Sequence, residues 1–235
     1  MRVRFLQRAM DVVAPRRCGI CGRRLHAEDE LLCCQCTMAL PRTDHLSHPD
    51  DNLMAQVFWG RVRTVGRAAA FCYHYGHAES ARPLYQLKYF GQPQVGVVLG
   101  RFFGQEMKER GFSEGINLII PVPLAPLRLK QRGYNQSSML AQGISEATDI
   151  PVKENVLLRN TFDGSQTARD RWRRNENVKD AFALGDSCLV KDKHVLLVDD
   201  VVTTGATSCA CAYALEQAHP ACISFASLAF VDDNR

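Results

Sequence analysis

The segment 194-HVLLVDDVVTTGAT-207 joins a short apolar stretch to two adjacent acidic residues and then to a loop of threonines and glycine. Residues 195–198 are β-branched or leucine, which is typical of a central strand buried on both faces of a parallel sheet. Asp199 and Asp200 stand directly at its carboxyl end, and a helix is predicted from Thr207. Because open α/β sheets bind ligands beyond the carboxyl ends of their strands, the segment predicts a ligand site.

The residue types in this segment suit a phosphorylated sugar. Paired carboxylates can accept hydrogen bonds from the two hydroxyls of a ribose and can face a bound cation. After them, Gly205 permits close approach of the backbone to an anion, and the loop amides with the N-terminus of the next helix offer donors. The alternative is an ordinary strand followed by a capped helix with solvent-exposed aspartates. The segment contains neither G-K-[ST] nor G-x-G-x-x-G, which disfavours nucleoside triphosphate and dinucleotide sites.

The bulk composition restricts the class of protein. A length of 235 residues suits one medium domain with a small appendage, and 46% apolar residues suffice for a core. No apolar run approaches the roughly 18 residues of a membrane span, so no membrane partner is expected. Residues 1–13 read as a short amphipathic helix rather than a signal peptide, which favours a cytoplasmic location. The net charge of +4 is too small to indicate a nucleic-acid partner by itself.

Four of the ten cysteines form two C-x2-C pairs near the N-terminus, Cys18 with Cys21 and Cys33 with Cys36. Two such pairs can complete a tetrahedral thiolate site for structural zinc, with no open position for chemistry. A disulfide framework is not expected in a reducing compartment, and a redox pair would need a thioredoxin-like βαβ context that is missing. The sequence therefore predicts a small zinc ribbon over residues 1–43. Whether this ribbon also contacts DNA or a protein partner stays open.

Beyond the ribbon, strand and helix patterns alternate along the chain. Apolar strands are predicted over residues 69–75, 116–122, 195–198 and 222–230. Helices are predicted over residues 80–87, 94–110, 127–148 and 207–218. This alternation predicts an α/β domain over residues 69–235, with a mostly parallel sheet flanked by helices. A polar connecting segment, residues 44–68, would join this domain to the ribbon.

Basic residues gather in two further segments. In IIPVPLAPLRLKQRGYNQ, residues 119–136, Arg128 and Arg132 are four apart and share a face if the segment is helical. Two guanidinium groups placed in this way could clamp phosphate oxygens. The alternative is a solvated basic helix face. The second segment, residues 165–182, is polar and arginine-rich and is interpreted as a loop.

These motifs resemble those of known families. The segment VLLVDDVVTTGAT resembles the phosphoribosyl pyrophosphate (PRPP) loop of type I phosphoribosyltransferases. Together with PVPL…R…RGYNQ, Q…R..N…AF, QLKYFG and the two cysteine pairs, it makes nearly the whole chain similar to the ComF family. The resemblance implies a type I phosphoribosyltransferase fold with an N-terminal zinc ribbon. The stretch ARDRW shortly after Gln166 departs from many relatives, which have a leucine there.

The resemblance also implies roles for individual residues. Asp199 and Asp200 would contact the ribose hydroxyls as the catalytic pair, and the loop after them would bind the 5-phosphate. The residues expected to bind substrate are Val201, Thr203, Thr204, Gly205, Ala206, Thr207, Lys88, Arg128, Arg132, Gln166 and Arg174. Tyr89, Asn135, Gln136 and Asn177 also fall on or beside the family's motif positions.

The implied function is transfer of the phosphoribosyl group of PRPP to an unidentified nitrogenous acceptor, with Mg2+ present and pyrophosphate released. A hood over the acceptor is expected from residues 71–90 and the N-terminal region. Two alternatives stay open. One is a sensor that binds PRPP or a nucleoside monophosphate without turnover, and the other is an accessory protein of DNA uptake that contacts single-stranded DNA or the competence machinery. A homodimer is a further open alternative.

Overall fold

Strands form the centre of the structure, a computed structural model that describes residues 16–19, 21–26, 29–74, 93–160 and 181–232. In chain order they are β1 (Val65–Tyr73), β2 (Leu118–Pro121), β3 (Leu157–Arg159), β4 (Phe182–Leu184), β5 (His194–Val202) and β6 (Cys222–Phe230). Within the described residues, β1, β6, β5 and β2 pair in that order as an all-parallel four-stranded sheet. β3 pairs antiparallel with β4 in a second, two-stranded sheet. The predicted α/β architecture with a mostly parallel sheet is confirmed.

Helices cover both faces of the parallel sheet. In chain order they are α1 (Cys34–Met38), α2 (Leu53–Gln56), α3 (Pro93–Glu109), α4 (Pro126–Arg132), α5 (Gln136–Thr148) and α6 (Ala206–Glu216), with a short 3-10 helix at Ser187–Leu189. Leu196 of β5 packs in one apolar cluster with α3 and α5, whereas Leu197 packs in the other with α2 and α6. This division follows from the alternation of side chains along a strand. In the part of the chain that the structure describes, no helix is long and apolar enough to cross a bilayer.

The first and last residues of the strands are set by pairing with the neighbouring strands. β6 has the predicted bounds. β5 continues to Val202, past the predicted end at residue 198, because its pairing with β6 continues beyond that point. β1 begins at Val65 rather than at residue 69, since Val65 pairs with Ile223. The extension of β5 places both aspartates within the last residues of the strand rather than after it.

The prediction of one helix over residues 127–148 is wrong, because the segment forms two helices, α4 and α5. Gly133 ends α4 with a φ of +79°, a left-handed termination that glycine adopts without strain. Asn135 then starts α5 by accepting the Ser137 N–H, and its own amide donates to the carbonyl of Val122. The break brings the beginning of α5 to the carboxyl end of β2. The predicted helix over 80–87 lies outside the described residues.

Much of the segment between residues 44 and 68 packs against the sheet. Phe58 is fully buried, and its ring stacks on that of Phe225 in β6 with centroids 3.7 Å apart. His45 is also buried, and its Nδ1 accepts the N–H of Ala70 in β1 at 3.2 Å. Burial lowers the pKa of His45 to about 4, so the ring is neutral at physiological pH. These contacts hold the segment against both β1 and β6.

Candidate functional site

A cleft with a volume of about 140 Å³ opens where the carboxyl ends of β2 and β5 meet the start of α5. Its lining includes six of the residues predicted to act on substrate: Asp199, Asp200, Val201, Thr207, Arg128 and Arg132. Asn135 and Gln136, which were placed on motif positions, line it too. Segments that are distant in sequence therefore converge at the edge of the sheet where ligands are expected.

Other predicted residues lie beside the cleft or outside the described part of the chain. The loop next to the cleft and the first turn of α6 contain Thr203, Thr204, Gly205 and Ala206. The residues that fall outside the described ranges are Lys88, Tyr89, Gln166, Arg174 and Asn177.

Asp199 is nearly buried at the carboxyl end of β5, with 8% of its surface exposed. Its Oδ1 accepts from Ser137 Oγ at 3.4 Å and from the Asp200 N–H at 2.8 Å, and its Oδ2 accepts from Ser208 Oγ at 3.3 Å. Burial, together with the charge of Asp200, raises the pKa of Asp199 to about 7. A ligand can therefore select either its protonated or its ionised form near neutral pH.

Asp200 is half-exposed and lines the same cleft. Its Oδ1 accepts the Val201 N–H at 2.7 Å, which fixes the side chain at the start of the loop. Successive side chains of a strand point to opposite faces, so the two aspartates do not form one flat pair of carboxylates. Asp200 is the more accessible of the two for a ligand hydroxyl.

The loop after β5 is supported by residues that follow α2. Gly205 has a φ of +68°, and a Cβ at this position would lie 2.3 Å from Val57 Cγ1. Glycine is therefore required by both the backbone conformation and the space. Arg61 Nη1 donates to the carbonyl oxygens of Thr204 at 2.7 Å and Val57 at 3.2 Å. Sequence reasoning missed Arg61, since its contact with the loop spans 143 positions of the chain.

Three guanidinium groups line the cleft within the described residues. Arg128 and Arg132 lie one turn apart on α4, which confirms the prediction that they belong to one helix. Arg159, at the end of β3, was missed because a strand of three residues shows no clear periodicity. Its guanidinium carbon lies 5.3 Å from the centroid of the Phe182 ring, a cation–π contact with β4. The sequence signal that could have identified Arg159 is its position at the start of the basic stretch that runs to Lys179.

The N-terminus of α5 forms part of the cleft wall. Asn135 Oδ1 accepts the Ser137 N–H at 3.2 Å, and Asn135 Nδ2 donates to the Val122 carbonyl at 2.9 Å. Gln136 is 1% exposed, and its Oε1 accepts from Arg132 Nη1 at 3.0 Å. These hydrogen bonds tie β2, α4 and α5 together at the cleft.

The four predicted zinc ligands gather at one point. The Sγ atoms of Cys18, Cys21, Cys33 and Cys36 all lie within 4.8 Å of one another. The Sγ atoms of Cys21 and Cys33 are 3.7 Å apart, close to the ~3.8 Å between ligands of a tetrahedral site with a Zn–S distance of about 2.3 Å. Burial and the neighbouring thiols raise the pKa of Cys36, so a cation is needed to hold the group as thiolates. The cluster can therefore bind zinc.

Three comparisons relate the chain to known proteins. The family described as Phosphoribosyl transferase domain matches residues 114–235. DNA utilization protein YhgH of Shigella flexneri is 31% identical over 194 residues, which cover 81% of this chain and 79% of the relative. Competence protein F of Haemophilus influenzae is 28% identical over 209 residues, which cover 81% of this chain and 86% of the relative. Among solved structures, glutamine PRPP amidotransferase from B. subtilis aligns with a TM-score of 0.44 and 22% identity over 61% of this chain and 30% of that chain.

Proposed function

The chain belongs to the Phosphoribosyl transferase domain family and to the ComF family, and on that premise we propose that it binds PRPP and transfers its phosphoribosyl group to a nitrogenous acceptor. The fold is that of a type I phosphoribosyltransferase, with a four-cysteine cluster near the N-terminus. The observation that carries the proposal is the cleft, in which an acidic pair, three arginines and the start of α6 meet.

Each part of PRPP has a complementary group in or beside this cleft. Residues 203–207 would hold the 5-phosphate through backbone amides and the N-terminus of α6, an 11-residue helix. The carboxylate of Asp200 would accept hydrogen bonds from the ribose hydroxyls, with Asp199 behind it. Arg128 and Arg132 would pair with the oxygens of the pyrophosphate group, for which guanidinium geometry is well suited.

The proposed reaction substitutes a nitrogen for the pyrophosphate oxygen at the ribose. The nitrogen lone pair forms a bond to C1 while the C1–O bond breaks, and that electron pair leaves with pyrophosphate; the acceptor then gives up a proton to water. Positive charge develops on the ribose ring near Asp200, and negative charge develops on the leaving group near Arg128 and Arg132. Catalysis is then mainly positioning and electrostatic stabilisation. Bound Mg2+ would add neutralisation of the pyrophosphate charge.

Three residues outside the described part of the chain are proposed to complete the site: Lys88, Gln166 and Arg174. Arg159 lines the cleft directly before residues 161–180, which supports a role for Gln166 and Arg174 on the pyrophosphate side. Residues 71–73 belong to β1, with Phe71 and Cys72 buried, so the acceptor hood is proposed for the rest of the 71–90 segment, which includes Lys88, and for the N-terminal region.

The cysteine cluster is proposed to hold one structural zinc ion in a cytoplasmic protein. All ten cysteines lie within the described residues and are free thiols, which fits a reducing compartment. With four protein ligands the zinc site would be closed, so it would stabilise the fold rather than take part in phosphoribosyl transfer.

The test is release of pyrophosphate from PRPP and Mg2+ in the presence of purine, pyrimidine and amine acceptors. Asp200→Asn removes the charge beside the ribose and keeps the side-chain shape, so turnover should fall about 10²-fold or more. Asp192→Asn is the matched control, because Asp192 precedes β5 at the opposite end of the strand and its φ of +56° also suits asparagine. Normal turnover by a folded Asp200→Asn protein would contradict the proposal.

The same assay separates an enzyme from a sensor. Isothermal titration would measure PRPP affinity in parallel with pyrophosphate release. Tight binding with no release for any acceptor would support the sensor, which keeps the sugar-phosphate site without turnover.

Contact with single-stranded DNA is a second candidate function. The relatives carry the names DNA utilization protein and Competence protein F. In this chain Arg17, Arg23 and Arg24 are exposed around the cysteine cluster, where they could pair with phosphates. Oligonucleotide binding that weakens steeply with salt, and that is lost when these three arginines are changed to glutamine, would support this function. Unchanged binding by that variant would contradict it.

A further inference from the structure

Gln136 has a buried amide side chain in which only the oxygen has a hydrogen-bond partner among the described residues. It is 1% exposed, lies at the first position of α5 and lines the cleft. Its Oε1 accepts from Arg132 Nη1 at 3.0 Å. Its Nε2 is shielded from solvent and has no acceptor within hydrogen-bonding distance among the described residues. The side chain therefore carries a donor that the protein itself leaves unused.

The orientation of this amide is fixed by its neighbour. A guanidinium group has donors only, so the atom of Gln136 that faces Arg132 must be the carbonyl oxygen. Rotation of the amide by half a turn would set an NH2 group against the cation and lose the hydrogen bond. Arg132 therefore keeps Oε1 on its own side and Nε2 away from it.

An unused donor inside a protein is unusual and costs stability, since nearly all buried polar groups have partners. The position of this one suggests a ligand as the missing partner. Gln136 begins a 13-residue helix, whose first N–H groups and dipole favour an anion at the same end. Arg128, Arg132 and Arg159 line the same cleft, where they outnumber the carboxyl groups of Asp199 and Asp200.

We propose that the Gln136 amide is a substrate-binding group, which donates a hydrogen bond from Nε2 to an anionic oxygen of the diphosphate of PRPP and is held in position by Arg132. This inference rests on the proposed function. The 5-phosphate is assigned to the loop after β5, whereas Gln136 shares its part of the wall with the arginines of α4. No residue of α4 is buried, so a small shift of this exposed seven-residue helix would open Nε2 to an anion while Arg132 stays hydrogen-bonded to Oε1.

Gln136→Met tests the proposal, because methionine keeps the length of the side chain and removes its donor, together with the acceptor that faces Arg132. Titrations with Mg2+ and inorganic pyrophosphate, PRPP or ribose 5-phosphate compare the two ends of the substrate. We expect the affinity for pyrophosphate and PRPP to fall about tenfold, the usual effect of one hydrogen bond to a charged group. The affinity for ribose 5-phosphate should stay unchanged. Gln142→Met, on the exposed side of the same helix, is the control and should bind all three ligands normally.

A thermal melt of the ligand-free protein separates a binding role from a structural one. Gln136→Met removes the unused donor, which costs stability in the wild type, but also the hydrogen bond that Oε1 accepts from Arg132. The two effects oppose each other, so the midpoint temperature should stay near that of the wild type. A lower midpoint with unchanged pyrophosphate affinity would show that the amide is structural and would overturn the proposal.

Gln136→Glu provides a second variant, in which the contact with Arg132 survives while the donor becomes an acceptor. Its affinity for pyrophosphate should be lower than that of Gln136→Met, because the carboxylate repels the ligand. Wild-type affinity for pyrophosphate in either variant overturns this inference and leaves the proposed function intact. A wild-type protein that binds neither PRPP nor pyrophosphate overturns the proposed function itself.

Discussion

Asp199 is held at the end of β5 by hydroxyl groups from two helices, Ser137 of α5 and Ser208 of α6. Burial and the charge of Asp200 raise its pKa to about 7, so its ionisation changes within the physiological range. The sequence shows two equal neighbours, but only their surroundings make one a buried, titrating acid and the other an accessible carboxylate. The hydroxyl partner on α5 lies 62 positions away, beyond the reach of any local pattern.

The raised pKa of Asp199 predicts a stability that depends on pH. The folded value of about 7 lies above the value of 3.8 for a free carboxyl, so between them the folded state holds more protons at this site than the unfolded state. The free energy of unfolding therefore falls as pH rises through this window, and the fall is complete above about pH 7. Asp199→Asn does not titrate, so it should gain stability relative to wild type from about pH 5 to about pH 8.

Urea unfolding of the ligand-free proteins at the two pH values measures this gain. Asp192→Asn, which removes an exposed carboxyl at the other end of the strand, serves as the control and should show the same difference from wild type at both. A constant difference for Asp199→Asn as well would mean that the acid titrates normally in the folded protein.

At the scale of elements, local pattern predicted what depends on local chemistry. The apolar part of β5 is a continuous hydrophobic run and β6 is interrupted only by Ser224 and Ser227, and both strands were found with the right type and place. The break between α4 and α5 was missed although Gly133 and Asn135 are ordinary stop and start signals for a helix. β3 and β4 have three residues each and leave no periodic signal, so Arg159 was not placed at the cleft.

The same division holds for the candidate site. The acidic pair, Thr207 and the α4 arginines could be predicted, since they belong to contiguous motifs. Arg61 beside the loop and the hydroxyl partners of Asp199 could not, because tertiary packing alone brings them there.

The crossing of α3 and α5 predicts a sensitive position at Gly143. A Cβ there would lie 2.0 Å from the Val97 carbonyl oxygen and 2.7 Å from the Arg101 nitrogen, so the helices would have to separate. Overpacking of this kind costs about 2 kcal/mol, more than the roughly 1 kcal/mol that alanine adds through helix propensity. We expect Gly143→Ala to lower the free energy of unfolding in urea. PRPP affinity should fall as well, since α5 carries Gln136 to the cleft.

Gln142→Ala is the control for this change, because Gln142 is the exposed neighbour of Gly143 on the same helix. Its effect should stay within about 0.5 kcal/mol. If Gly143→Ala were as stable as this control, the two helices would have to lie further apart than the structure places them.

At the scale of the whole molecule, the cysteine ribbon and the domain built on the parallel sheet share one hydrophobic cluster. Its members from the ribbon are Cys18, Leu25, Leu32, Cys33 and Leu40, and from β1 and α3 they include Phe71, Leu99 and Phe103. Arg101 of α3 adds an ion pair to Glu30 at 2.6 Å, but both side chains are partly exposed, so its contribution is small. The cysteine spacing predicted the four-cysteine cluster, whereas the packing of the ribbon on the sheet depends on leucines whose partners are distant in sequence.

This shared core predicts that loss of the metal site weakens the whole chain. Cys33 is the most informative position to change, since it belongs both to the four-cysteine cluster and to the buried core. Cys33→Ser should lose bound zinc, measured by mass spectrometry of the metal, and should lower the midpoint of a single calorimetric transition by roughly 5–10 °C.

Cys34→Ser separates the effect of losing the metal from the general effect of removing a thiol. Cys34 is the adjacent cysteine, is exposed and lies outside the four-cysteine cluster, so this variant should keep both its zinc and its melting temperature. The number of transitions then decides how the ribbon and the domain are coupled. If the ribbon unfolded by itself, Cys33→Ser would leave the domain's transition in place and remove a separate one at lower temperature. A single transition that shifts as a whole requires the apolar contacts with Phe71 and Leu99 to transmit the loss of the metal to the sheet.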